Sequence, residues 1–121
     1  MERMTQTEPS IFTRIIEREI PADMVYEDER VIAFHDIAPQ APVHVVVVPK
    51  TAQYRNVVEL AAADPELLAH VVAVAQRVAD ELSDGEFRLI FNNGESAGQT
   101  IFHAHAHVLA GGLTEGTLGS K

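Results

Sequence analysis

The stretch Ile101-Phe102-His103-Ala104-His105-Ala106-His107-Val108-Leu109 sets a histidine at every second position. In an extended chain, residues two apart share a face at intervals of roughly 6.6–6.8 Å. The alternation predicts a strand over 101–109 with His103, His105 and His107 pointing one way. Ala104 and Ala106 then point the other way, where small side chains admit close packing of a helix.

Outward from this strand, Val43-His44-Val45-Val46-Val47-Val48 is a β-branched run closed by Pro49. Such continuity predicts a strand buried on both faces. If it pairs alongside, His44 adds a fourth imidazole to the cluster. Met24-Val25-Tyr26 and Val31-Ile32-Ala33-Phe34 read as a hairpin, and Phe87 to Phe91 as a further strand. Asp64-Pro65-Glu66 opens a long helix with a capping carboxylate, a first-position proline and an acid in the first turn. Leu67, Leu68, Val71, Val74, Ala75, Val78 and Leu82 line one side of it. Ser10 caps a short helix bearing Ile11, Phe12, Ile15 and Ile16, which Pro21 follows. The expected fold class is α+β: an antiparallel sheet of about five strands, one short N-terminal helix and one long central helix, with the helices on one face. Residues 1–9 and 113–121 are expected to be tails around one domain, 10–112.

The 121 residues suffice for one core, and 46% are hydrophobic. The net charge of −9 argues against a partner held by phosphate neutralisation along a nucleic acid. No apolar run approaches the roughly 18 residues that span a bilayer. With a polar start and no cysteine, a cytoplasmic protein without disulfides or thiolate metal sites is expected.

Several histidines on one face suit two chemistries. They can bind zinc with an open position for water. Alternatively one imidazole attacks as a nucleophile while its neighbours orient it and handle protons. The preceding loop, Asn92 to Thr100, favours the second. Gly94 and Gly98 can let backbone N–H groups converge on an oxyanion, with Gln99 and Thr100 adding side-chain donors. His35 is expected to be exposed or structural, and His70 solvated, off the apolar face of the long helix.

With these residues in view, the chain is similar to the histidine triad (HIT) superfamily. His103-Ala104-His105-Ala106-His107-Val108-Leu109 matches the His-φ-His-φ-His-φ-φ motif. The likeness to its HINT branch, the histidine triad nucleotide-binding proteins, runs from Ile11 to Gly112. It includes Ile11-Phe12, Glu19-Ile20-Pro21, Ala33 to Pro42, His44, Val48-Pro49-Lys50, Asn92 and Gly98-Gln99-Thr100. The resemblance implies a HIT-like fold and a homodimer that binds purine nucleoside monophosphates. It also implies hydrolysis of phosphoramidates such as adenosine 5′-phosphoramidate, with no cofactor and no metal.

By the same resemblance, His105 is the nucleophile that forms a nucleotidyl-histidine intermediate, and His107 contacts the phosphate and leaving group. His103 and His44 support the nucleophile and relay protons. Asn92, Gly98, Gln99 and Thr100 lie on the phosphate side. Asp36 accepts from the ribose hydroxyls, and Ile11, Phe12, Ile15, Ile20, Phe34 and Ile37 wall the base. Thr100 stands where the family commonly has serine. The tail from Leu113 lacks the Trp and Pro-rich ending of animal relatives, and His107 stands where the nucleotidyltransferase branch has glutamine. Competing readings are a dinucleoside polyphosphate hydrolase, a nucleotide sensor with little turnover, and a zinc enzyme.

Overall fold

A computed structural model of the chain describes residues 9–117. The outer parts of the two expected tails, 1–8 and 118–121, lie outside the described residues. Five strands form one antiparallel sheet: β1 (Met24–Glu27), β2 (Val31–His35), β3 (Val43–Pro49), β4 (Arg88–Ile90) and β5 (Ala106–Ala110). Their spatial order is β1-β2-β3-β5-β4, every neighbouring pair antiparallel. The central β3 is buried from His44 to Pro49, as its unbroken β-branched run requires.

Alternation along the strands sorts the side chains into two layers. Val31 and Ala33 of β2, Val45 and Val47 of β3, and Ala106 and Val108 of β5 face one way. Against them pack Leu67, Val71, Val74, Ala75 and Val78 of the long helix α3 (Pro65–Leu82). Asp64 caps α3, its carboxylate accepting from Leu67 N–H at 3.1 Å. Ala104 joins this layer, so both small residues between the histidines lie on the helix side.

The opposite face carries Ile32, Phe34, Val46 and Val48, covered by Phe12 and Ile15 of the short helix α1 (Ile11–Ile16). This corrects the expectation that the helices share one face. A helix of six residues is not stable alone, and α1 is held by burying these two side chains in the second layer. The cleft described below opens on that side.

A third helix, α2 (Val57–Ala63), was not expected. Asn56 caps it, its side-chain oxygen accepting from Glu59 N–H at 2.9 Å. His70 is not fully solvated either. It is half-buried, with Nε2 2.6 Å from Asp28 Oδ2, and ties α3 to the β1–β2 turn. Among the described residues no helix is long and apolar enough to cross a membrane.

Candidate active site

The histidine strand is shorter than its sequence pattern. β5 begins at Ala106, and residues 103–105 run on without ladder pairing. Continued, the register would set Pro49 against Ala104, and proline has no N–H for a ladder. Ala104 N–H instead donates to the Tyr54 carbonyl at 2.9 Å. The side chains still alternate, and His103, His105 and His107 share the face opposite α3.

Each ring is oriented by an identifiable group. His105 Nδ1 lies 2.8 Å from the carbonyl oxygen of His103, which can only accept, so Nδ1 carries the proton. His105 Nε2 is thereby left with a lone pair. His103 Nε2 donates to the Pro49 carbonyl at 2.7 Å. His44 lies opposite Leu109 in the register, and its Nδ1 accepts from Gln40 N–H at 3.0 Å. His44 Nε2–H then donates to His107 Nδ1 at 2.9 Å, which leaves the proton of neutral His107 on Nε2. The tautomers of all four imidazoles thus follow from main-chain groups.

Burial keeps these rings uncharged. It lowers the pKa of His44 and His103, against a weaker opposing pull from Asp36 and from the Pro49 carbonyl respectively. It lowers that of His105 as well, against the His103 carbonyl and Asp36. His107 is pushed down to about 4 by burial and then by the neighbouring His105 and His44. A neutral imidazole with a fixed free nitrogen is the form that attacks an electrophile.

His105 and His107 line a cleft of about 760 Å³. Ile11, Phe12, Ile15, Ile20, Phe34 and Ile37 form its apolar wall, with Asp36 among them. Ile37 is almost fully exposed and stands at the rim. The Phe12 ring packs edge-on to His105 with centroids 4.8 Å apart. Asp36 Oδ1 accepts from Ala38 N–H at 2.8 Å, and Oδ2 lies 3.5 Å from His44 Nε2. Asn92, Gly98 and Thr100 close the other side. Among the described residues neither the Asn92 amide nor the Thr100 hydroxyl has a protein partner. Both are donors, and both line the same cavity as His105.

The sequence profile of the HIT domain matches residues 17–112. This chain belongs to the HIT family. It is similar to an uncharacterised HIT-like protein of Synechocystis, 50% identical over 86% of this chain and 91% of that one. It is also similar to a protein of Zea mays named a 14 kDa zinc-binding protein, 42% identical over 90% of this chain and 87% of that one. Among solved structures it matches a HIT family hydrolase from Clostridium thermocellum. The TM-score is 0.80 at 45% identity, covering 86% of this chain and 91% of that one.

Within this HIT site one expectation needs correction. Gln99, expected on the phosphate side, is buried outside the cleft. Its Oε1 accepts from Gly94 N–H at 2.9 Å, and its Nε2 donates to the carbonyls of Arg55 (2.7 Å) and Ile101 (3.0 Å). It clamps the loop to the chain before α2. Of the backbone N–H groups expected to converge at this loop, three are committed within the turn. The amides of Ala97, Gly98 and Gln99 donate to Gly94 and Glu95 carbonyls. Thr100 N–H has no such partner among the described residues, so this wall offers it beside the Asn92 and Thr100 side chains.

His35 is exposed at the end of β2 and borders the cleft. The apolar residues missed in the sequence are Pro21, Ala22, Val46 and Ile101, which also line the cleft. Val46 could have been found by stepping two residues from His44 along β3. One atom each from Asp36, His44 and His107 lie within 4.8 Å of one another, a set able to hold a metal ion. A metal there would have to displace the proton shared by His44 and His107.

Proposed function

We propose that this HIT protein hydrolyses purine nucleoside 5′-phosphoramidates through a nucleotidyl-histidine intermediate on His105, as in the HINT branch it resembles. The observation that carries this reading is the geometry of His105. Its Nδ1–H is committed to its own main chain at 2.8 Å, so the Nε2 lone pair is available in a cleft with a carboxylate and an apolar wall.

In the first step His105 Nε2 bonds to phosphorus as the P–N bond breaks. The amine leaves neutral, its extra proton drawn from solvent. Because His105 keeps its Nδ1 proton, the phosphorylated ring is cationic and a good leaving group. Water then attacks the phosphorus, the Nε2–P bond breaks, and the nucleoside monophosphate departs. Two protons are released, one restoring that taken up in the first step and one ending on the product amine. His107 Nε2–H, the Asn92 amide and the Thr100 hydroxyl donate to the phosphoryl oxygens.

Asp36 has lone pairs for the two vicinal hydroxyls of a ribose, and Ile11, Phe12, Ile20, Phe34 and Ile37 present an apolar slot for a purine. Among the described residues the cleft lining contains no lysine or arginine. It therefore suits one phosphoryl group better than a polyphosphate chain. The reading also makes the protein a cytoplasmic homodimer, with the strand edges at β1 and β4 as surfaces to be covered; light scattering should give twice the chain mass. The deciding experiment is turnover of adenosine 5′-phosphoramidate by wild type and by His105→Ala. Loss of at least about a thousandfold in the variant is expected, and equal rates would remove the nucleophile.

A further inference from the structure

Ser10 begins α1 with its hydroxyl against the triad. Its Oγ accepts from Thr13 N–H at 3.1 Å and lies 3.0 Å from His103 Nδ1. His103 is neutral because burial disfavours the cation, so its ring has one donor and one acceptor. The donor is Nε2, facing the Pro49 carbonyl at 2.7 Å. Nδ1 must therefore accept, and the Ser10 O–H supplies the proton. A hydroxyl has one proton and two lone pairs, so Ser10 can cap the helix and donate to the ring together. Thr13 Oγ1, 3.5 Å from the same Nδ1, is too distant to replace it well.

We infer that Ser10 is a positioning residue for the nucleophile, its hydroxyl proton holding His103 in the tautomer and pose that orient His105. The link is short. His103 is held from both ring nitrogens, and its main-chain carbonyl receives His105 Nδ1–H. Phe12, two residues along the same helix, packs edge-on to both rings, with centroids 6.0 Å from His103 and 4.8 Å from His105. The helix that walls the proposed base slot thus also sets the attacking group. This inference rests on His105 as the attacking residue.

Three substitutions separate proton donation from capping. Ser10→Thr keeps both and should retain kcat within about twofold. Ser10→Ala loses both, and kcat should fall about tenfold with KM little changed, since the defect is in aiming the nucleophile rather than in holding substrate. Ser10→Asp caps a helix as well as serine does but has no proton to give at neutral pH. Its carboxylate would instead stabilise a doubly protonated His103. We expect kcat to fall about tenfold, with the acid limb of the kcat profile moved to higher pH and thermal stability retained.

Nitrogen-15 NMR of His103 gives a readout independent of turnover. Wild type should show Nε2 protonated and Nδ1 bare, and Ser10→Asp should show both protonated. A wild-type His103 protonated on Nδ1, or a Ser10→Asp variant with unchanged kcat and pH profile, would overturn the inference. Failure of wild type to cleave phosphoramidates would instead count against the proposed activity, with the NMR result still deciding the role of Ser10.

Discussion

Acid should weaken this fold in a window set by the buried imidazoles. His107 is held at about 4 in the folded state against 6.5 when free, so between those values the unfolded chain binds a proton that the folded chain refuses. A lowered histidine pKa costs stability as pH falls below 6.5, and the loss is complete near the folded value. One such proton changes stability by about 1.4 kcal/mol per pH unit, so His107 alone contributes a loss on the order of 2–3 kcal/mol after allowance for its partial exposure. His44, His103 and His105 are lowered by burial too and act in the same direction. The carboxylates behave differently. Burial pushes Asp28 up, but hydrogen bonds from Arg30 N–H, Tyr26, His70 and Val31 N–H outweigh it and hold it below its usual range. Its contribution is present above about pH 4 and lost below that, outside the histidine window.

Urea unfolding midpoints measured between about pH 5 and 7 test this. Stability should rise with pH across the range, and His107→Gln should lower the slope by about 1 kcal/mol per pH unit. The comparison is of slopes, because the variant also changes the partner of His44 Nε2–H at every pH. A slope unchanged by His107→Gln, or a wild type more stable at pH 5 than at pH 7, would refute the assignment of neutral, buried rings.

Other expectations concern the cleft and its loop. Asp36→Ala should raise KM for adenosine 5′-phosphoramidate about tenfold while sparing kcat, the loss of hydrogen bonds to a charged acceptor; it should also abolish any preference over the 2′,3′-dideoxy substrate. Gln99→Leu removes the partners of Gly94 N–H and of the Arg55 and Ile101 carbonyls, and should destabilise by about 2–4 kcal/mol in thermal unfolding. Turnover should survive exhaustive chelation and fall when zinc is added, because zinc on Asp36, His44 and His107 would displace the proton between the two rings. Activity lost to chelation and restored by zinc would contradict this.

The faces of the sheet were legible in the sequence because side-chain alternation survives even where pairing stops. His103 and His105 lie outside the ladder, yet they face away from Ala104 and Ala106 as the pattern required. The end of the ladder was not legible, since it depends on Pro49 of another strand arriving opposite. The side chosen by α1 was also hidden. Six residues with apolar Phe12 and Ile15 pack equally well on either face, and only the empty second layer of Ile32, Phe34, Val46 and Val48 decides it. Helix α2 does leave a signal in Asn56 and Glu59, a cap followed three residues later by an acid. Gln99 misled for a physical reason: a glutamine beside a glycine has the same composition whether its amide meets a ligand or three main-chain groups. The outcome depends on Arg55, distant in sequence.

The most direct test of the chemistry is to capture the covalent state. Wild type mixed with adenosine 5′-phosphoramidate and quenched within one turnover should yield a peptide carrying a single adenylyl group on His105. A modified peptide centred on His103, His107 or His44, or turnover with no protein adduct at the earliest times, would contradict attack by the central imidazole.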